Sequence, residues 1–302
     1  MIKAIEVKNL VKNYENIEAV KSISFDVEKN SFFAFLGPNG AGKSTTINIL
    51  STLLDYNSGD VFILGNRLGK DDNIIRTKIG IVLQNSMLDN LLTVKENLSI
   101  RASFYGIDKL TLEKRLDEID EFLEIKSICS QRYGELSGGQ KRKADISRAL
   151  IHWPEILILD EPTTGLDPKS RKDIWALINK LRTAKEITIF LTTHYMEEAI
   201  DANKIIVMDN GEILATGSSE ELRLKYSNDR IKIIPINGFR QKLIDDHIDF
   251  YETNKVINIV LENCFEGLNL VLKYKKYIKD FEILRGDMDD VFLNITGRKL
   301  EE

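Results

Sequence analysis

The sequence predicts an α/β fold with a largely buried sheet, followed by a small α+β module. Three observations point that way. Short apolar runs of strand length alternate with segments of helical period. A glycine-rich loop at 37–45 separates one such run from a helical segment. Another apolar run, 156–159, ends in two adjacent acids, at the strand edge where open α/β sheets bind their ligands.

Taken in order, the expected strands are 2–7, 23–27, 32–36, 79–83, 156–159, 187–191 and 205–208. Helices are expected after Lys43, over much of 94–104 and 112–122, and over 140–152, where Pro154 cannot continue the last one. A further helix starts at Pro168 with Asp167 as its cap, and Ile174, Leu177, Ile178 and Leu181 recur at the helical period. Asn210-Gly211 between apolar runs reads as a hairpin turn. The stretch 86–149 is nearly all helical and divides two strand-rich halves. Beyond about residue 225 the texture changes: runs at 231–236, 256–261 and 281–284 surround a helical 268–277. The division that follows is a large domain over 1–222, with a helical subdomain over about 86–150, and a small α+β domain over 228–302.

Composition narrows the function classes. The 302 residues are 43% hydrophobic and 29% charged, as in an ordinary globular protein able to bury a sizeable core. A net charge of -5 argues against wrapping nucleic acid, and none is expected as a partner. Cys129 and Cys264 are far apart, which suits a reducing compartment and suggests neither a disulfide framework nor a zinc site. The first residues carry no apolar stretch behind their charges, so no secretory leader is expected. Nor does any segment approach the roughly 18 to 20 apolar residues of a membrane span, so a link to a membrane has to run through another polypeptide.

The run Gly37-Pro38-Asn39-Gly40-Ala41-Gly42-Lys43-Ser44-Thr45 matches G-x-x-x-x-G-K-[ST] in the strand–loop–helix context that the motif requires. Gly37, Gly40 and Gly42 allow a tight turn that directs backbone N–H groups at phosphate oxygens. The helix that follows presents the positive end of its dipole to the anion. Lys43 supplies a charge for the β- and γ-phosphates, and Ser44 a hydroxyl for Mg²⁺. A second carboxylate for the metal comes from Asp160, and Glu161 beside it is placed to polarise an attacking water as general base.

Leu136-Ser137-Gly138-Gly139-Gln140 selects among phosphate-binding families. Ser137 can cap the helix beginning near Gln140, and the two glycines leave N–H groups open to an anion. This run, about twenty residues before Asp160, resembles the signature of ATP-binding-cassette (ABC) ATPases. The resemblance covers about residues 1–220 and implies an α/β P-loop NTPase cassette: a mixed sheet core, an antiparallel β subdomain and a helical subdomain. It also implies ATP and Mg²⁺ as cofactors. Gln84 then corresponds to the Q-loop glutamine that contacts Mg²⁺ or the attacking water. Gly165-Leu166-Asp167 looks like the D-loop, His194 like the switch histidine, and Tyr14 like the ring stacked on adenine. In the family, the Ser137–Gln140 surface serves nucleotide held by the other subunit, so two chains sandwich two ATP molecules head to tail.

The segments 192–199 and 289–298 resemble daunorubicin-resistance-like exporter ATPases, whose cassette is followed by a small C-terminal module. Met196, Asp289 and the run Gln140-Lys141-Arg142-Lys143 depart from the usual residues, and none is expected to touch the chemistry. The expected function is therefore the ATP-hydrolysing subunit of an exporter. It would pair as a homodimer, bind an integral membrane permease and sit at the cytoplasmic face of the cell membrane. The alternative is a soluble ABC ATPase that remodels a ribosome or nucleic-acid complex. Such proteins carry two cassettes, a long coiled-coil insertion or added cysteines, and this chain shows none of these. A GTPase would need an Asn-Lys-x-Asp motif after a strand, which the sequence lacks.

Overall fold

The structure, a computed structural model, describes residues 3–297. Ile2 and Arg298, which belong to the expected first strand and the closing segment, lie outside the described residues. The chain divides into two compact units, with the boundary between Thr216 and Gly217.

The first unit begins with β1 (Lys3–Tyr14), β2 (Ile17–Glu28), β3 (Phe32–Leu36) and α1 (Lys43–Leu50). It continues with β4 (Ser58–Ile63), β5 (Asn66–Arg67), α2 (Asp72–Lys78) and β6 (Ile79–Val82). Three helices form the insertion: α3 (Val94–Ser103), α4 (Lys109–Leu123) and α5 (Gly138–Leu150). Then come β7 (Ile156–Asp160), α6 (Pro168–Lys185), β8 (Thr188–Thr193), α7 (Met196–Ala199), β9 (Lys204–Asp209) and β10 (Glu212–Gly217).

Six strands form the central sheet in the order β10-β9-β3-β8-β7-β6. β3 pairs in parallel with both β8 and β9, and β7 with β8 and β6. Every residue of β3, β7 and β8 is buried, which is why these strands read as continuous apolar runs. β10 joins through Asn210-Gly211, both at positive φ (48° and 81°), as a two-residue hairpin requires. A second sheet, β2-β1-β4-β5, is antiparallel. Phe25 of β2 packs on Phe33 and Phe35 of β3 at ring separations of 5.7 and 5.0 Å, and Phe190 of β8 joins the cluster.

This second sheet is larger than the sequence suggested. β1 and β2 run to twelve residues each; their missed halves hold Leu10 and Val20, both buried, but among polar residues and β-bulges that break the alternation. β4 was not expected, since Gly59 and Asp60 interrupt its apolar pattern. Gly59 is there because β4 crosses β1 closely: a Cβ would lie 2.6 Å from the Asn9 carbonyl oxygen. Helix α2 also went unanticipated, being a single short segment with one fully buried residue, Ile75.

The second unit contains α8 (Ser219–Tyr226), β11 (Asp229–Pro235), α9 (Phe239–Asp245), β12 (Tyr251–Thr253), β13 (Val256–Leu261), α10 (Cys264–Tyr274), β14 (Ile278–Leu284) and α11 (Met288–Thr296). Its antiparallel sheet, β12-β13-β11-β14, closes a separate core of Ile231, Ile233, Ile257, Ile259, Leu261, Phe239, Leu243, Leu270 and Tyr274. α8 groups with this unit through α11, where Asn294 Nδ2 donates to the Tyr226 carbonyl.

Candidate active site

Because β3, β7 and β8 are parallel, their C-terminal ends meet at one edge of the sheet, with Leu36 paired to Thr193 and Asp160 to Thr192. The loop after β3, the acids after β7 and the histidine after β8 therefore converge by topology alone. At that edge lies a cavity of about 460 Å³, lined by residues 39–45, Gln84, Glu161, Ile17 to Ala19, Lys21 and the Asn210-Gly211 turn.

The loop is shaped by close approaches. A Cβ on Gly37 would lie 2.2 Å from the Met208 carbonyl oxygen, and Gly42 sits at φ 100° with Ala19 O 2.5 Å from its would-be Cβ. Lys43 is buried at the start of α1, where its Nζ donates to the carbonyls of Gly37 (2.6 Å) and Pro38 (3.0 Å). Burial lowers its pKa, and the charges of Glu161 and Asp160 oppose that shift. Its Nζ lies 3.8 Å from Glu161 Oε1.

Asp160 accepts from Thr192 Oγ1 at 2.5 Å and from Ser44 Oγ at 3.4 Å. Burial raises its pKa and the negative Glu161 adds to the effect, while those hydroxyls and Lys43 work against it. Two oxygen donors, the Ser44 hydroxyl and a desolvated carboxylate, thus converge beside the phosphate loop, a set that fits a hard divalent cation.

Glu161 is held in the left-handed region at φ 45°, a conformation that costs energy for any residue other than glycine. Its N–H donates to the Thr192 carbonyl at 3.0 Å. Its Oε2 accepts from Gln84 Nε2 (3.3 Å) and Thr164 Oγ1 (3.2 Å). His194 Nδ1 lies 3.4 Å from the same oxygen, near enough for an ion pair when protonated but off line for a hydrogen bond. The carboxylate is therefore fixed on one side, beside a cation and a histidine.

Glu198 of α7 ties two of these loops together. Fully inside the protein, it accepts from Thr163 Oγ1, two residues after Glu161, and from Thr193 Oγ1 (2.6 Å), one before His194.

Of the other sequence-predicted residues, Ser137 caps α5 through a reciprocal pair: Gln140 N–H donates to its hydroxyl, and Ser137 N–H to Gln140 Oε1 at 2.9 Å. Asp167 caps α6, accepting from Lys169 N, Ser170 N and Ser170 Oγ. Gly138 and Gly139 pack against Leu166 and Ser170, whose side chains would lie 3.2 and 2.9 Å from an added Cβ and would have to shift to admit it. Ser137 to Gln140 and Asp167 form one surface, and none of them lines the cavity. Tyr14 also lies outside the lining; it is exposed, with Lys12 Nζ 5.1 Å above its ring, and Ile17 is the lining residue nearest to it in sequence.

Sequence reasoning missed several contributors. Thr192 and Thr164, which hold Asp160 and Glu161, were not singled out. Arg142, which was expected to stay clear of the chemistry, donates to the carbonyls of Leu83 (2.9 Å) and Gln84 (3.4 Å). Through these two bonds α5 clamps the backbone that carries Gln84. Beside the clamp, Asp145 accepts from Ser86 Oγ (2.5 Å) and Tyr133 Oη (3.2 Å).

Comparison with known proteins agrees with this geometry. The family described as ABC transporter matches residues 20–164. Over 99% of this chain and 100% of the relative, the chain is 32% identical to the linearmycin resistance ATP-binding protein LnrL of Bacillus subtilis. It is 30% identical to the daunorubicin resistance ATP-binding protein DrrA3 of Streptomyces coeruleorubidus, over 99% of this chain and 98% of the relative. Among solved structures, cbiO1 of Clostridium perfringens, part of the ABC transporter complex cbiONQ, superposes with a TM-score of 0.68 at 28% identity. That match covers 74% of this chain and 91% of cbiO1.

Proposed function

The chain belongs to the ABC transporter family of ATP-binding, ATP-hydrolysing subunits, and on that premise we propose that it powers an exporter of drugs or antibiotics through a separate membrane permease. The observation that carries the chemistry is the cradle around Glu161, where Gln84 and Thr164 hold one carboxylate oxygen and Lys43 and His194 stand within 4 Å.

In this reading the N–H groups of residues 39–45 and the N-terminus of α1 bind the β- and γ-phosphates of ATP. Lys43 exchanges the Gly37 and Pro38 carbonyls for phosphate oxygens. Ser44 and Asp160, with Gln84, would hold Mg²⁺, whose charge offsets that of the phosphates when bound. Glu161 accepts a proton from the attacking water through Oε1, the oxygen that Gln84 and Thr164 leave unbonded and that Lys43 releases as it turns to the phosphates. His194 contacts the γ-phosphate.

Ser137, Gly138, Gly139, Gln140 and Asp167 are read as the completing wall of a nucleotide site on a second copy, since they lie outside the cavity of their own chain. A head-to-tail pair with two equivalent sites follows. The permease is assigned to the surface beyond Gln84, where Met87, Leu91 and Phe104 stand exposed and Arg142 links the segment to the Ser137 helix. The resistance proteins among the relatives favour drug or antibiotic as cargo, and docking on a permease places the chain at the cytoplasmic face.

The reading is tested by reconstituting the chain with its candidate permease in vesicles. ATP-driven drug accumulation should require both proteins and vanish with Glu161→Gln. Accumulation that persists with that variant at the wild-type rate would overturn the assignment of Glu161.

A further inference from the structure

Helix α10 of the C-terminal unit carries two apolar faces. The inner one, Gly267, Leu270 and Tyr274, is buried on the sheet. Gly267 allows a close approach, since a Cβ there would lie 2.8 Å from Leu261 Cδ1 and 3.1 Å from Ile283 Cδ1. Tyr274 Oη donates to Asp246 Oδ2 at 2.5 Å and locks the rotation of the helix. The outer face cannot turn inward, and it is apolar as well. Phe265, Leu268 and Leu272, spaced i, i+3, i+7, are 77%, 46% and 66% exposed. That is a helical stripe of the kind that packs on another helix.

The charges at its ends say what covers it. Exposed Glu262 precedes the helix and Glu266 lies in its first turn, while exposed Lys275 and Lys276 follow its last turn. A helix acidic at one end and basic at the other complements its own antiparallel image. A two-fold axis between Leu268 and Asn269 sets Phe265 against the Leu272 of a second copy, and Glu262 against its Lys275 and Lys276. An anionic lipid surface would meet repulsion at the Glu262 end.

We propose that the outer face of α10 is a dimer contact, in which the C-terminal units of two chains pair through antiparallel α10 helices. The contact needs no nucleotide. It adds to the ATP-driven pairing of the cassettes, whose proposed reading it presupposes only for its use. Two cassettes joined in this way stay at high local concentration between rounds of hydrolysis, so reclosure becomes an intramolecular step.

The test uses the full chain without nucleotide in sedimentation equilibrium. Wild type should show a concentration-dependent dimer. Leu272→Glu should weaken association by about tenfold or more, as a charge forced into an apolar interface does. Glu262→Lys should weaken it too, and adding Lys275→Glu with Lys276→Glu should restore it, an outcome that misfolding would not produce. A monomeric wild type overturns the proposal, as does a Leu272→Glu chain that associates as tightly as wild type. A wild type that is monomeric but binds anionic phospholipid vesicles through Leu272 overturns it in favour of a lipid surface. Glu161→Gln added to the Leu272→Glu chain, with ATP, is the separate control: if that chain fails to pair, the cassette reading falls while the α10 contact stands.

Discussion

The N–H of Gly211 donates to the carbonyl of Ala41 at 3.0 Å, and the Gly211 carbonyl accepts from Lys21 N–H at 2.9 Å. The β9–β10 turn is therefore a strut between the phosphate loop and β2. It also lines the cavity that the loop shapes.

Gly211→Val should loosen that strut. The residue stands at φ 81°, with Ala19 O 2.9 Å from its would-be Cβ, so a branched side chain is strained there. We expect a stability loss of about 1–3 kcal/mol and weaker ATP binding. Melting curves and calorimetric titration check both; a lower melting temperature with unchanged ATP affinity would reduce the turn to a structural role.

Glu161→Gln should keep ATP binding and lose hydrolysis by about two to four orders of magnitude, the range for a removed general base. Lys43→Ala should instead weaken nucleotide binding. Single-turnover measurements separate the two effects, and a Glu161→Gln chain at wild-type speed would exclude the general-base role.

Thr192→Val removes the 2.5 Å hydrogen bond that steadies the Asp160 carboxylate. Stability should drop by about 1–3 kcal/mol, the cost of losing a hydrogen bond to a buried charged group. The Mg²⁺ concentration for half-maximal hydrolysis should rise, because Asp160 loses one of the groups that favour its charged form. A Mg²⁺ titration that matches wild type would remove Asp160 from the metal site.

Arg142→Met frees the carbonyls of Leu83 and Gln84 and removes one of the two cations, Arg142 and Arg148, that favour the charged form of Asp145. A destabilisation of about 1–3 kcal/mol is expected for leaving those carbonyls without their charged donor. Any stimulation of hydrolysis by the permease should fall further than the basal rate. If both fall equally, α5 does not couple to the Gln84 segment.

His152 gives the fold a pH dependence. It stacks on Tyr105 at 4.0 Å, and its Nε2 meets the Ile79 carbonyl oxygen at 3.1 Å. Burial lowers its pKa to about 4, with Arg101 and Arg148 adding to the effect. The folded value lies below the unfolded one, so the unfolded chain binds the proton more readily. Stability is full above about pH 6.5 and falls as pH drops toward 4, by up to about 3 kcal/mol. His152→Phe should flatten melting temperature against pH in that window; an unchanged slope would assign the dependence to other groups.

Local signals made part of this protein legible. Strands buried on both faces announce themselves, as 32–36 and 156–159 do, because a parallel sheet tolerates no polar side. The Ser137 and Asp167 caps were readable for a similar reason: a cap lies within three residues of what it satisfies. β4 was not, because its identity comes from pairing with β1 about fifty residues away rather than from its own pattern.

The sequence alone determined the phosphate loop, the Asp160-Glu161 strand end, the Ser137 helix start and the family, all carried by short-range spacing. Only the tertiary structure decided what surrounds Glu161. Thr192 is brought to it by sheet pairing across thirty-one residues of chain, Gln84 by β6, and the Arg142 clamp by the packing of α5. Such contacts depend on which strands become neighbours, and that is settled by burial of the whole core rather than by any local run of residues.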